Sequence, residues 1–129
     1  MAANKIVRFG PVALSNTLTT NILNPQTVSG GTITSGSSAN ATSSTTYIIL
    51  RHIRVVNKTA GAVTCSFWIG GSAGNVAGTE FMAQGLSVAA NSYIDWYGAV
   101  VLQSADFLVG GASAATSLSW EAEGEIGVS

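Results

Sequence analysis

His52 is the only histidine in the chain, so any nucleophile–His–acid triad must use it. If the stretches Tyr47–Val56 and Val63–Ile69 lie side by side, Thr64 or Ser66 falls near His52, which offers a hydroxyl nucleophile and an imidazole base. No Gly-x-Ser-x-Gly elbow accompanies them. A single strand histidine flanked by Arg51 and Arg54 suits a structural role better, and no catalytic residue is assigned. One histidine and one cysteine also exclude clusters of several His or Cys ligands around a metal.

Glu121, Glu123 and Glu125 are spaced two apart, which on a strand sets three carboxylates along one face at about 6–7 Å intervals. Charges of one sign at that distance repel unless a cation stands opposite. Calcium needs six to eight oxygens, usually from a loop that curls around the ion. Glycoside hydrolysis needs two carboxylates facing each other across a gap. A single strand meets neither demand, so no metal or cofactor is expected. Ion pairing with Arg51, Arg54 or Lys58, inside the chain or across an interface, is the favoured reading, and a solvated strand face is the alternative. Tyr93, Asp95 and Tyr97 share one strand face, with Ile94 and Trp96 on the other. Two tyrosines beside a carboxylate could stack on a sugar, although aromatic residues at strand spacing more often serve a core or an oligomer interface.

These residues have to be positioned by strands. In Tyr47–Val56, strict alternation puts Tyr47, Ile49, Arg51, Ile53 and Val55 on one face and Ile48, Leu50, His52, Arg54 and Val56 on the other. Residues 57–62 carry turn chemistry, with Asn57 and a Gly61 free to take positive φ. Val63, Cys65, Phe67 and Ile69 then alternate with Thr64, Ser66 and Trp68. The whole of Tyr47–Gly70 is expected to be a core β-hairpin. Further strands are expected at 79–83, 92–101 and 106–110, with Gly110–Gly111 in a loop. In the last strand Leu118, Trp120, Ala122, Gly124 and Ile126 face inward, and Ser119 and the three glutamates face water.

Ahead of the hairpin, residues 1–34 read as an extended arm of the same domain. Its strand-like run Lys5–Phe9 is expected to end at Gly10–Pro11, and one more strand is expected around Gly30–Gly31. The arm either reaches a neighbouring subunit or wraps its own sandwich. Residues 35–46, SGSSANATSSTT, are expected to form a mobile loop. The glycine-rich stretch 70–78 lacks the Gly-Lys-Ser/Thr of a phosphate-binding loop and reads as a flexible connection. Short strands, Gly/Asn/Ser turns and no 3.6-residue periodicity predict an all-β, antiparallel, jelly-roll-like β-sandwich of about eight strands.

A chain of 129 residues with 47% hydrophobic content is long enough for one domain with its own core. Only 9% of its residues are charged, against roughly 25% in typical soluble domains, which suits either a surface that lives against other protein copies or an ordinary β-domain with a Thr/Ser-rich skin. The net charge of −1 leaves no electrostatic footprint for nucleic acid or an anionic membrane. All the basic residues lie at or before Lys58 and all six carboxylates beyond it, so either the acids are simply solvated near the C-terminus or a basic region of one copy meets an acidic region of the next. Cys65 reads as a buried small hydrophobe. No secretory signal or bilayer-spanning run is visible, so synthesis in a cytoplasm is expected and two Asn-x-Thr sequons carry no weight.

Three stretches, RHIRVVNKTAGAVTCSFWIG, AGTEFMAQGLSVAANSYIDWYG and ADFLVGG, together resemble small all-β structural proteins encoded among the virion genes of tailed bacteriophages. The resemblance covers roughly residues 45–126, brings no catalytic motif, and does not separate head from tail. It implies a virion location, synthesis in a bacterial host, and a capsid decoration protein that forms a homo-oligomer, with a trimer favoured, and clamps the major capsid protein of adjoining capsomers. A tail or baseplate protein touching host glycans is the other possibility. The candidate interface residues are Lys5, Arg8, Phe9, Arg51, Arg54, Tyr93, Tyr97, Glu121, Glu123 and Glu125. Removal of residues 1–24 is expected to leave a folded domain that no longer binds shells.

Overall fold

The computed structural model describes residues 5–25, 28–29, 32–33, 45–103 and 105–128. The described residues form ten strands: β1 (Lys5–Ala13), β2 (Asn21–Leu23), β3 (Val28–Ser29), β4 (Thr32–Ile33), β5 (Thr45–Asn57), β6 (Val63–Gly70), β7 (Glu80–Val88), β8 (Ser92–Leu102), β9 (Phe107–Ala112) and β10 (Leu118–Val128). One four-stranded antiparallel sheet has the order β1-β10-β5-β8 and a second has β2-β9-β6-β7. Apart from β6 and β7, successive members of these eight strands lie in opposite sheets. That wrapping of paired strands around a sandwich is the jelly-roll arrangement. The loop expected at 35–46 lies outside the described residues except for Thr45 and Thr46, which begin β5.

Two faces that each bury one side of their strands meet in a common core. Ile48, Leu50, Ile53, Val55, Leu118, Trp120, Ala122 and Ile126 come from the first sheet, and Leu23, Cys65, Phe67, Val88 and Leu108 from the second. The alternation expected for β10 holds through Ile126: Leu118, Trp120, Ala122, Gly124 and Ile126 are all buried. Burial also pushes the Cys65 thiol up to about 11, because a thiolate would lose its hydration there.

The expected Tyr47–Gly70 hairpin does not form. β5 hydrogen-bonds to β10 and β8, whereas β6 pairs with β7 and β9. The connection after Asn57 crosses between sheets instead of closing a hairpin. The Asn57 side chain organises it. Its Nδ2 donates to the carbonyls of Gly61 (2.9 Å) and Val88 (3.0 Å), and its Oδ1 accepts from the Thr59 amide (2.9 Å) and hydroxyl (2.7 Å). Gly61 does not adopt positive φ; the buried asparagine shapes the turn.

The N-terminal segment is not an appendage. β1 runs through Gly10–Pro11, which bulge between Phe9, opposite Ala122, and Val12, opposite Trp120. β2 adds an edge to the second sheet beside β9. Phe9, Leu14, Ile22 and Leu23 are buried in the core, so residues 5–23 wrap their own sandwich. A chain without residues 1–24 would therefore lose two strands and four buried core side chains, which argues against the expectation that it stays folded.

Gly110 and Gly111, expected in a loop, are interior residues of β9. A Cβ on Gly110 would run into the Ser66 carbonyl oxygen, so glycine here marks close approach of two backbones and not a break in the strand. Around Gly30–Gly31 two short strands, β3 and β4, pair antiparallel where one was expected. The glycine-rich connection after β6 is tied down: Asn21 Nδ2 donates to the Ser72 hydroxyl (2.9 Å) and Asn21 Oδ1 accepts from the Ala73 amide (2.7 Å).

Candidate functional site on the outer face of the first sheet

The site begins with one extra residue in β5. His52 pairs with Glu123 of β10, but the adjacent Gly124 pairs with Leu50, so Arg51 has no opposite number. Such a bulge changes the alternation of the strand. Ile48 and Leu50 point inward before it, and Ile53 and Val55 point inward after it. Both face assignments made for β5 by strict alternation are therefore corrected at Arg51–His52. Unbroken alternation from Leu50 would have pointed His52 into the core; the bulge turns it outward.

Gly124 makes the bulge possible. A Cβ at that position would run into the Ile49 carbonyl oxygen. The backbone of β10 and the bulged turn of β5 can approach only because no side chain intervenes.

Two cross-strand rows then line up on the outer face. In one, Tyr97, His52 and Glu123 are neighbours across β8, β5 and β10; in the other, Asp95, Arg54 and Glu121 are neighbours. The His52 ring lies between two carboxylates, with Nε2 2.8 Å from Asp95 Oδ1 and Nδ1 3.2 Å from Glu123 Oε1. A neutral imidazole carries one N–H and an imidazolium carries two, so both contacts are hydrogen bonds together only in the charged ring. Arg54 grips Asp95 through both oxygens, Nε donating to Oδ1 at 2.7 Å and Nη2 to Oδ2 at 3.2 Å. Arg51 Nε donates to Glu125 Oε2 at 2.7 Å. That last pair is largely in water and adds on the order of 0–1 kcal/mol.

The two tyrosines cover His52 and Arg54. Tyr97 stacks on His52 with ring centroids 4.6 Å apart and planes 16° from parallel. The Arg54 guanidinium carbon lies 4.6 Å from the centre of the Tyr93 ring, within cation–π range. Between these groups lies an open depression of about 610 Å³, lined by Ile6, Arg51, His52, Arg54, Tyr97 and the backbone and carboxylates of residues 123–125.

The Asp95 carboxyl is held well below its usual range. Hydrogen bonds from Arg54, then from His52, hold its carboxyl down from its ordinary 3.8 to about 2. A carboxylate whose folded value is depressed stabilises the fold above its unfolded value and loses that contribution as pH falls through the folded one. The window runs from about pH 4 down to about pH 2. Thermal melts of wild type and Asp95→Asn across pH 5 to 2 will show wild type losing its advantage within that window. A gap between the two that stays constant over the whole range would contradict the assignment.

Eight of the ten candidate interface residues stand on this one face: Arg8, Arg51, Arg54, Tyr93, Tyr97, Glu121, Glu123 and Glu125. Phe9 does not, since it is fully buried and its ring is used by the core. Lys5 pairs through its backbone with Ile126, and its side chain lies outside the described part of the molecule. The acidic strip divides: Glu123 and Glu125 meet His52 and Arg51, while Glu121 makes no ion pair among the described residues. Arg54, a register neighbour of Glu121, turns to Asp95 instead. Asp95 and His52 are the residues that interface reasoning missed. The signal available was Asp95 between two outward tyrosines, but its partners depend on β8 lying beside β5.

Thr64 and Ser66 belong to the second sheet, so the hydroxyl–His52 arrangement considered from sequence does not assemble. Ser66 Oγ instead accepts from the Gly85 amide at 2.8 Å. Among the described residues no three of His, Cys, Asp and Glu are grouped to hold a metal ion, and no helix is long and apolar enough to cross a membrane. No protein-family model matches the chain, and a comparison with curated proteins finds no match.

Proposed function

We propose that this chain is a non-enzymatic structural protein of a tailed-phage particle, a capsid decoration protein that self-associates on the outer shell and stabilises contacts between capsomers through the major capsid protein. Its resemblance to small virion proteins supplies the setting. The observation that carries the reading is where the charges lie. Of five basic and six acidic residues, seven stand on the outer face of the first sheet: Arg8, Arg51, Arg54, Asp95, Glu121, Glu123 and Glu125.

The same face exposes Ile6 (88%), Tyr97 (70%) and Tyr93 (56%). Exposed aromatic rings beside organised charges make a surface that can be desolvated in the middle and polar at its rim, as protein interfaces are. Arg8 and Glu121 have no ion-pair partner among the described residues, which leaves one charge of each sign for a partner.

The test is add-back of purified protein to particles stripped of it. The double variant Ile6→Ser, Tyr97→Ser should bind at least about tenfold more weakly, the loss of two hot-spot contacts, with a melting temperature close to wild type. Equal binding by the double variant would remove this face from the contact. A second reading places the protein in the tail as a glycan-binding component. It is favoured by Tyr97, with one ring face on His52 and the rest open beside hydrogen-bonding carboxylates. Saturable binding to host cell wall that is lost in Tyr97→Ser would select it.

A further inference from the structure

Every sandwich has sheet edges to protect, and among the described residues three of the four edges are blunted. β2 is only three residues long. β1 carries Pro11 in a bulge between Phe9 and Val12. β7 is interrupted where Leu86 pairs with Cys65 but Phe81 with Phe67, so residues 82–85 leave the ladder, with Met82 and Gly85 at positive φ. Short length, proline and bulges are the usual protections of an edge strand.

β8 is different. It runs for 11 residues, SYIDWYGAVVL, with no lysine, arginine or proline. It lies at the end of the first sheet, paired on one side with β5. An extra residue at Gly98–Ala99 relative to β5 leaves the outward alternation intact, since Tyr97, Ala99 and Val101 are exposed and Leu102 is buried. Its outward side chains are Tyr93, Asp95, Tyr97, Ala99 and Val101, with Tyr93 at 56%, Tyr97 at 70% and Val101 at 44% exposure.

We propose that β8 is the docking edge for β8 of a second copy of this chain, antiparallel and with Tyr97 on the two-fold axis. A two-fold contact must be complementary to itself, and this register is. It sets Tyr93 opposite Val101 of the other copy and Tyr97 opposite its equivalent, pairing the three large exposed hydrophobic side chains of the strand among themselves. Aromatic–aromatic and aromatic–β-branched pairs are favourable across strands. It sets Asp95 opposite Ala99, so no like charges meet. Moving the axis to Asp95 would bring two carboxylates face to face. The pair joins the two first sheets into one eight-stranded sheet, and it stands whether or not the protein belongs to a virion.

The register makes position 99 diagnostic. Sedimentation of the full chain should give a particle of two chains, each 13.1 kDa. Ala99→Asp puts a second carboxylate opposite Asp95 at two symmetric places and should raise the dimer dissociation constant by about tenfold. Ala99→Lys supplies the opposite charge there and should leave the dimer as tight as wild type or tighter. The side chain is exposed, so thermal melts should show both variants folded. A monomer, a trimer, or an equal response to both charges would overturn the proposal.

Discussion

A chain lacking residues 1–24 will show no cooperative unfolding transition. The deletion removes β1 and β2, one edge strand from each sheet, together with the buried side chains of Phe9, Leu14, Ile22 and Leu23. Burying one large apolar side chain contributes roughly 1.5–3 kcal/mol. Four of them approach the whole stability of a typical domain, about 5–15 kcal/mol. The cut also uncovers the β1 side of β10, where Trp120 and Ala122 now lie against Val12 and Phe9. Urea titration followed by circular dichroism checks this; a sigmoidal transition near that of the full chain would show that the arm is dispensable to the fold. The consequence for function is direct, because loss of shell binding by such a truncation would report unfolding and not a missing contact arm.

Trp120→Ala should cost about 3–5 kcal/mol, the range for removing a large aromatic from a packed core. Trp120 is fully buried near the start of β10, between Val12 of β1 and Val55 of β5 in register. Its indole Nε1 has no hydrogen-bond partner among the described residues, so its value to the fold is packing. Trp120→Phe keeps most of the ring, removes a buried unpaired donor whose desolvation costs about 1–3 kcal/mol, and should be much milder. Chemical denaturation of both variants separates the two effects. A loss below about 1 kcal/mol in Trp120→Ala would show that the core does not depend on this ring.

Much of the fold was legible because it rests on period-2 alternation. β10 is the clearest case: its five inward and three acidic outward positions are where alternation places them. β8 is equally legible, with Tyr93 and Tyr97 outward and Ile94 and Trp96 against the core. What alternation cannot reveal is an extra residue. The bulge at Arg51 reverses the phase of β5, and its one local mark is a glycine on a different strand, Gly124, some seventy positions away in sequence. Strand pairing was hidden for a similar reason. Asn57 and Gly61 look like hairpin chemistry, yet a turn of that composition serves equally well to carry a chain from one sheet to the other.

The candidate site was legible as a list and not as a network. Sequence reasoning named the arginines, tyrosines and glutamates that share the outer face. It did not give Asp95 to Arg54 or set His52 between two carboxylates, since those contacts depend on β8 and β10 both flanking β5. Phe9 was misplaced because a strand ending at Gly10–Pro11 would leave it near a free end. With β1 continuing through the bulge, the alternation that exposes Ile6 and Arg8 buries Phe9.

The proposed role as a building part of a virus particle is tested most directly by the abundance of the chain there. Particles purified from the source of the sequence can be digested and the chain quantified by mass spectrometry against the major shell protein. A copy number approaching that of the shell subunit is the predicted result. Absence of the chain from intact particles would contradict the account.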